Sequence, residues 1–259
     1  MKVVSSLQEW RELRPTLSEN LGFVPTLGAL HEGHASLLQR SVSESAQTVL
    51  SIYLNPTQFN DPTDLANYPS TLHDDLCWAD ELGVDIVLTP TDAQLYPDDF
   101  RYQVNESEFS RELCGNNREG HFTGVLTVVM KLLNLVRPRR AYFGEKDYQQ
   151  YLLVRDMCKA FFLDVTIVAC ATVRESDGLA ISSRNALLDT AGRERAAMLS
   201  RLIGESCSDA AAAGALERAG FAVDYVSTRD GRRFAAATLR CKGREVRLID
   251  NVLLQVEQG

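Results

Sequence analysis

The chain has 259 residues, 45% of them apolar and 24% charged, with a formal net charge of −8. That length holds one large domain, or a large and a small one, around an ample apolar core. The acidic balance argues against a general binder of nucleic acid or membrane surface, which needs a basic face, and no run of about 18 apolar residues offers a membrane span.

Cys77, Cys114, Cys158, Cys170, Cys207 and Cys241 are widely spaced, with no C-x-x-C pair. They read as buried small apolar residues in a reducing compartment, which with the missing span places the chain in the cytoplasm.

Taken in chain order, an amphipathic helix precedes the strand-like run Gly22–Thr26. A turn rich in Gly and His leads to a helix near His34–Ser45, then to the β-branched and aromatic run Thr48–Leu54. A helix near Ser70–Leu82 precedes a short strand at Val84–Leu88. Further on come a helix near Thr123–Val136, a strand at Ala141–Phe143, a helix at Tyr148–Phe161 and a strand at Val165–Ala169. Strands alternating with helices of this length predict βαβ units in an α/β fold, a mostly parallel, doubly wound sheet. Beyond Val173 the pattern changes to a polar loop at Ser176–Asn185, an Ala-rich helical zone at Ala191–Ala219, and strand-like runs at Phe221–Ser227, Phe234–Arg240 and Glu245–Leu254. Helices followed by consecutive strands predict a second, smaller α+β domain. The boundary is placed to give domains 1–173 and 174–259.

Five segments carry chemistry. Pro25-Thr26-Leu27-Gly28-Ala29-Leu30-His31-Glu32-Gly33-His34 lies where a strand hands over to a helix, the place where open α/β sheets bind phosphates. His31 and His34 can donate N–H bonds there; the bland alternative is a Gly-rich turn with a solvated His pair. A zinc site fits less well, because H-E-G-H lacks the H-E-x-x-H spacing. Asn55-Pro56-Thr57-Gln58-Phe59, at the second strand's exit, offers amides that can orient hydroxyl and carboxylate groups, or is a plain Asn-Pro turn. Arg118–Gly124 runs into a helix around His121.

Gly144-Glu145-Lys146-Asp147-Tyr148-Gln149-Gln150 follows the strand at Ala141–Phe143. Lys146 is the natural phosphate ligand or else a surface lysine, and Asp147 reaches a ribose hydroxyl or caps the helix. Val173–Asn185 brings Ser182, Ser183 and Arg184, hydroxyls and a guanidinium fork able to wrap a triphosphate, or forms an interdomain linker. Four of the five segments fall at strand exits on one edge of one predicted sheet, and that convergence marks a site.

Read in order, the blocks Val24–His34, Ser51–Phe59, Gly120–Gln150 and Val173–Asn185 resemble the pantothenate synthetase family, within the nucleotidyltransferases that carry a HIGH-like motif, here His31-Glu32-Gly33-His34. Val223–Val226 and Arg247–Asn251 echo it more weakly. The resemblance implies a Rossmann-like first domain and an ATP-dependent ligase that joins pantoate to β-alanine through a pantoyl-adenylate, releasing AMP and pyrophosphate. It implies catalytic roles for His31, His34 and Lys146. ATP would be held by Pro25, Leu27, Gly28, His31, His34, Gly144, Lys146, Asp147, Val173, Ile181, Ser182, Ser183 and Arg184. Gln58 and Gln150 would hold pantoate, and Asp74 or Asp75 would lie near Mg²⁺. It further implies a homodimer, with Asp61–Ser70 and the second domain as cover. Leu27 stands where the family usually has Met, Ser70 where it has Arg, and the second domain reads as shorter than usual. The alternatives are another enzyme of the superfamily acting on a phosphorylated acceptor, and a nucleotide-binding module without turnover.

Overall fold

In the computed structural model, which describes residues 1–254, the alternating pattern folds as read, with the strands β1 (Lys2–Val4), β2 (Leu21–Thr26), β3 (Gln47–Ile52), β4 (Ile86–Leu88), β5 (Arg140–Gly144) and β6 (Thr166–Cys170) in one sheet. Between them run the helices α1 (Leu7–Leu13), α2 (Glu32–Glu44), α3 (Pro62–Ala66), α4 (Leu72–Glu81), α5 (Asp92–Leu95), α6 (His121–Val136) and α7 (Tyr148–Ala160). The sheet order is β1-β4-β3-β2-β5-β6 and every pairing is parallel. β1, three residues long, carries too little pattern to be read in advance.

This order has a functional consequence. From β2 the chain builds outward through β3 and β4, then returns to add β5 and β6 on the other side. The direction of winding therefore reverses between β2 and β5, and the crevice outside the carboxyl ends of open parallel sheets opens at such a point. Val24, Leu38, Leu50, Val87 and Tyr142 fill the core against the sheet, each fully buried.

Contacts divide the chain into two units: Met1–Glu145 with Gln149–Ala171, and Lys146–Tyr148 with the chain from Thr172 on. The second unit holds α8 (Thr190–Ala196), α9 (Met198–Glu205), α10 (Asp209–Arg218) and an antiparallel sheet of β7 (Ala222–Arg229), β8 (Arg232–Cys241) and β9 (Arg244–Leu253) in that order. The Ala-rich zone is thus three helices rather than one stretch. Leu199, Ile203 and Leu216 pack with Ala235, Ala237, Leu239 and Val246 as its core.

The polar loop is more ordered than its composition predicted. Arg174 bridges Ala180 in antiparallel pairing, and Gly178 turns the hairpin at φ +90°, a backbone conformation that glycine adopts without a Cβ penalty. The cysteine expectation needs correcting in part: all six are free thiols, but Cys77 and Cys207 are exposed. Among the described residues no helix is long and apolar enough to cross a membrane.

Candidate functional site

The turn after β2 is built by side chains that hold its backbone. Pro25 and Thr26 end the strand, Thr26 Oγ1 donates to Ser51 O at 2.8 Å, and it accepts the Gly28 N–H at 3.2 Å. Gly28 sits at φ +86°, and a Cβ there would lie 3.1 Å from both Asp75 Oδ2 and Ile52 Cγ2. The Asp75 carboxylate, 4% exposed, accepts the N–H groups of Ala29 at 2.9 Å and Leu30 at 2.8 Å, and the Thr71 hydroxyl at 3.2 Å. This loop therefore reaches His31 already shaped.

His31 is the N-cap of α2 and His34 its third residue; their rings stack with centroids 4.0 Å apart. The His31 N–H donates to His34 Nδ1 at 3.3 Å. An accepting Nδ1 puts the proton of a neutral imidazole on Nε2, making that nitrogen a donor. Gly33 is required beside them, because a Cβ there would come within 2.9 Å of the His31 ring. At this N-terminus the helix dipole favours an anion.

At the exit of β3, Asn55 is wholly buried and spends its amide on the protein. Its Nδ2 donates to Gln58 Oε1 at 3.1 Å and Gly124 O at 3.3 Å, while its Oδ1 accepts from Tyr96 Oη at 2.8 Å and Thr57 Oγ1 at 2.9 Å. Burial holds the Tyr96 phenol protonated, so it can donate. Asn55 thus orients Gln58 rather than offering its own amide to a ligand. The His121 ring, also buried, donates from Nδ1 to Gln58 O at 2.8 Å, which leaves Nε2 to accept from Arg118 Nη1 at 3.0 Å. The third segment is therefore a brace for the second. Gln150 is half-buried on α7, next to Gln149, whose buried amide ties Phe109 O, Glu112 O and the Cys114 N–H together. Gly144 ends β5, the neighbour of β2.

In the second unit, Lys146, Ser182 and Arg184 line one narrow cleft, with Leu179, Asn185, Arg247 and Asp250. The Lys146 side chain is 20% exposed, which removes its reading as a surface lysine, and Asp147 lies 3.8 Å from its Nζ. Val173 and Ile181 are partners across the hairpin, Ile181 N–H to Val173 O at 3.0 Å. Ser182 caps the 3₁₀ turn Ser183–Leu187, its Oγ accepting the Arg184 N–H at 3.3 Å.

Asp74 and Asp75 stand in different settings. They are successive on α4: Asp74 is exposed, and both oxygens of buried Asp75 are engaged by backbone N–H groups. Among the described residues no group of three His, Cys, Asp or Glu side chains is arranged to hold a metal ion.

The family model for pantoate–β-alanine ligases matches residues 1–253. The chain belongs to that family. It is 49% identical over 251 residues to a pantothenate synthetase of Bdellovibrio bacteriovorus, covering 97% of this chain and 98% of the relative. A pantothenate synthetase of Legionella pneumophila is 47% identical over 98% of this chain and the whole relative. Among solved structures, a pantoate–β-alanine ligase of Francisella tularensis, complexed with β-γ ATP and β-alanine, is similar at 36% identity with a TM-score of 0.91, covering 98% of this chain and 97% of that one. Family membership makes the chain a ligase and confirms the parallel α/β sheet with its small antiparallel partner. It sets aside the transferase and the non-catalytic module.

Proposed function

We propose that this family member condenses pantoate with β-alanine by way of a pantoyl-adenylate, with the residues above acting on one ATP. The observation that carries the reading is the cleft in which Lys146, Ser182 and Arg184 come together from separate parts of the sequence. A lysine, a guanidinium fork and a hydroxyl are the donors that β- and γ-phosphates call for. His31 and His34, on a helix N-terminus, would also serve the phosphates, and the similar Francisella ligase was solved with β-γ ATP and β-alanine.

In the first step a pantoate carboxylate oxygen attacks the α-phosphorus and pyrophosphate leaves. In the second the β-alanine amine attacks the acyl carbon, forming the amide and expelling AMP, while the amine gives up a proton. Neither step requires a protein nucleophile. What the protein supplies is alignment and fixed positive charge where negative charge gathers. His34 Nε2–H and Lys146 would stabilise the departing pyrophosphate, with His31 helping to bend it into line. Asp147 and Gly144 would contact the ribose side, Val173 and Ile181 the adenine, and Gln58 and Gln150 the pantoate. Pro25, Leu27, Gly28 and Ser183 would complete the lining. Residues 174–259 would form a lid domain that keeps water from the adenylate. Mg²⁺ would accompany the nucleotide and add positive charge at its phosphates, with Asp74 or Asp75 as the carboxylate near it. A homodimer and a cytoplasmic setting complete the reading; the six free thiols support the latter.

The test is incubation with ATP, pantoate and β-alanine, which should yield AMP and pantothenate in equal amounts. Pyrophosphate exchange into ATP should need pantoate and not β-alanine. Lys146→Ala should lower that exchange by two orders of magnitude or more, as loss of a preorganised charge donor does elsewhere. Exchange that depends on β-alanine would refute the order of steps.

A further inference from the structure

The groups assigned to the triphosphate in the second unit lie on two segments far apart in sequence, Lys146 on one, Ser182 and Arg184 on the other. Two consecutive residues of β9 hold both. Asp250, 4% exposed, takes Arg174 in a two-pronged grip, Nη1 to Oδ2 at 2.7 Å and Nη2 to Oδ1 at 2.8 Å. Arg174 also donates to Gly178 O at 3.1 Å, so the pair pins the hairpin at its base and its turn. Ala180, Arg174's bridge partner, accepts from Asn185 Nδ2 at 3.0 Å, which carries the restraint across Ser182 and Arg184.

Asn251, also 4% exposed, donates from Nδ2 to Lys146 O at 3.0 Å and accepts on Oδ1 from Arg232 Nη1 at 2.5 Å. The Arg232 guanidinium lies 3.9 Å over the Tyr148 ring, fixing the same short segment a second time. Successive strand residues point to opposite faces, so one strand can grip two segments at once. A buried ion pair yields little net stability against apolar replacements of the same size. What Arg174–Asp250 supplies here is direction.

We infer that Asp250 and Asn251 are positioning residues for the triphosphate: Asp250 sets the hairpin that delivers Ser182 and Arg184, and Asn251 sets the backbone from which Lys146 reaches. The inference rests on reading those three residues as ATP ligands, and goes beyond it by naming what aims them.

Asn251→Asp separates aim from stability. The new carboxylate still accepts from Arg232, so the fold is kept, but it faces Lys146 O without a donor. Direct calorimetric binding of ATP should weaken about tenfold, the cost of one such contact, and KM for ATP should rise by a similar factor with kcat changed less. On a Lys146→Ala background the same substitution should change ATP affinity less than twofold. Arg174→Lys keeps the charge and loses the fork, and should raise KM for ATP several-fold with the thermal midpoint nearly retained. An Asn251→Asp enzyme with unaltered ATP affinity, or with the same loss on both backgrounds, overturns the inference while leaving the ligase reading intact. Lys146→Ala binding ATP as well as the parent overturns the ligand assignment itself.

Discussion

Asp75→Asn tests whether this carboxylate shapes the turn or serves a metal. Two backbone N–H groups, at 2.9 and 2.8 Å, and the Thr71 hydroxyl converge on its oxygens in a buried place. An amide of equal size keeps one acceptor and sets an NH₂ donor against the other N–H. The loss of a charge-assisted bond costs about 1.5–3 kcal/mol, and the stranded N–H brings the total to about 2–4 kcal/mol. With a urea slope of about 2–3 kcal/mol/M for a unit of this size, the midpoint should fall by about 1 M. The chain has two tryptophans, Trp10 and Trp78, both in the first unit, so their fluorescence reads that unit alone. The fall should be the same with and without Mg²⁺. Exchange activity should drop at least tenfold, because Ala29 and Leu30 lead directly into His31. An unchanged midpoint, with the loss confined to a raised Mg²⁺ requirement, would refute the structural role and restore the metal reading.

Two further outcomes are expected. Gly28→Ala forces a side chain into φ +86° and within 3.1 Å of Asp75 and Ile52, so it should cost about 1–2 kcal/mol by urea unfolding and lower exchange activity; a fully stable and active variant would contradict the turn geometry. Ellman's reagent at neutral pH should find two fast thiols, Cys77 and Cys207, in the native enzyme and six after denaturation. Burial pushes the Cys158 thiol up to about 11 and raises that of Cys170 as well, so neither supplies thiolate near neutrality, and rapid labelling of either would show the first unit to be open there.

The sheet was legible because its interior strands are continuous apolar runs, and their spacing leaves room for a crossover helix each time. The separation of Gln149 from Gln150 was not legible. Both stand at a helix start after a strand, and only the phase of α7 decides that one amide is consumed by Phe109 and Glu112. Asn55 misled in the same manner, since a polar residue at a strand exit reads as a ligand until Tyr96, 41 positions away, is seen to occupy its oxygen. Asp75 is a third case: its partners at 29 and 30 lie about 45 residues upstream, beyond any local pattern. Ser182 and Arg184 stood out because hydroxyls and a guanidinium crowd together in few residues. The hairpin that carries them did not, because it depends on Asp250 near the end of the chain.

The three residues Lys146–Tyr148 have neighbours that make them part of the second unit, although the chain on either side of them belongs to the first. The two units are consequently woven rather than strung in series. No single cut yields both intact: a fragment from Thr172 onward would lack the ring beneath Arg232 and the carbonyl that satisfies Asn251, and the complementary fragment would carry Lys146 with nothing to seat it. A gene that encodes this enzyme can therefore tolerate change in either unit more readily than division between them.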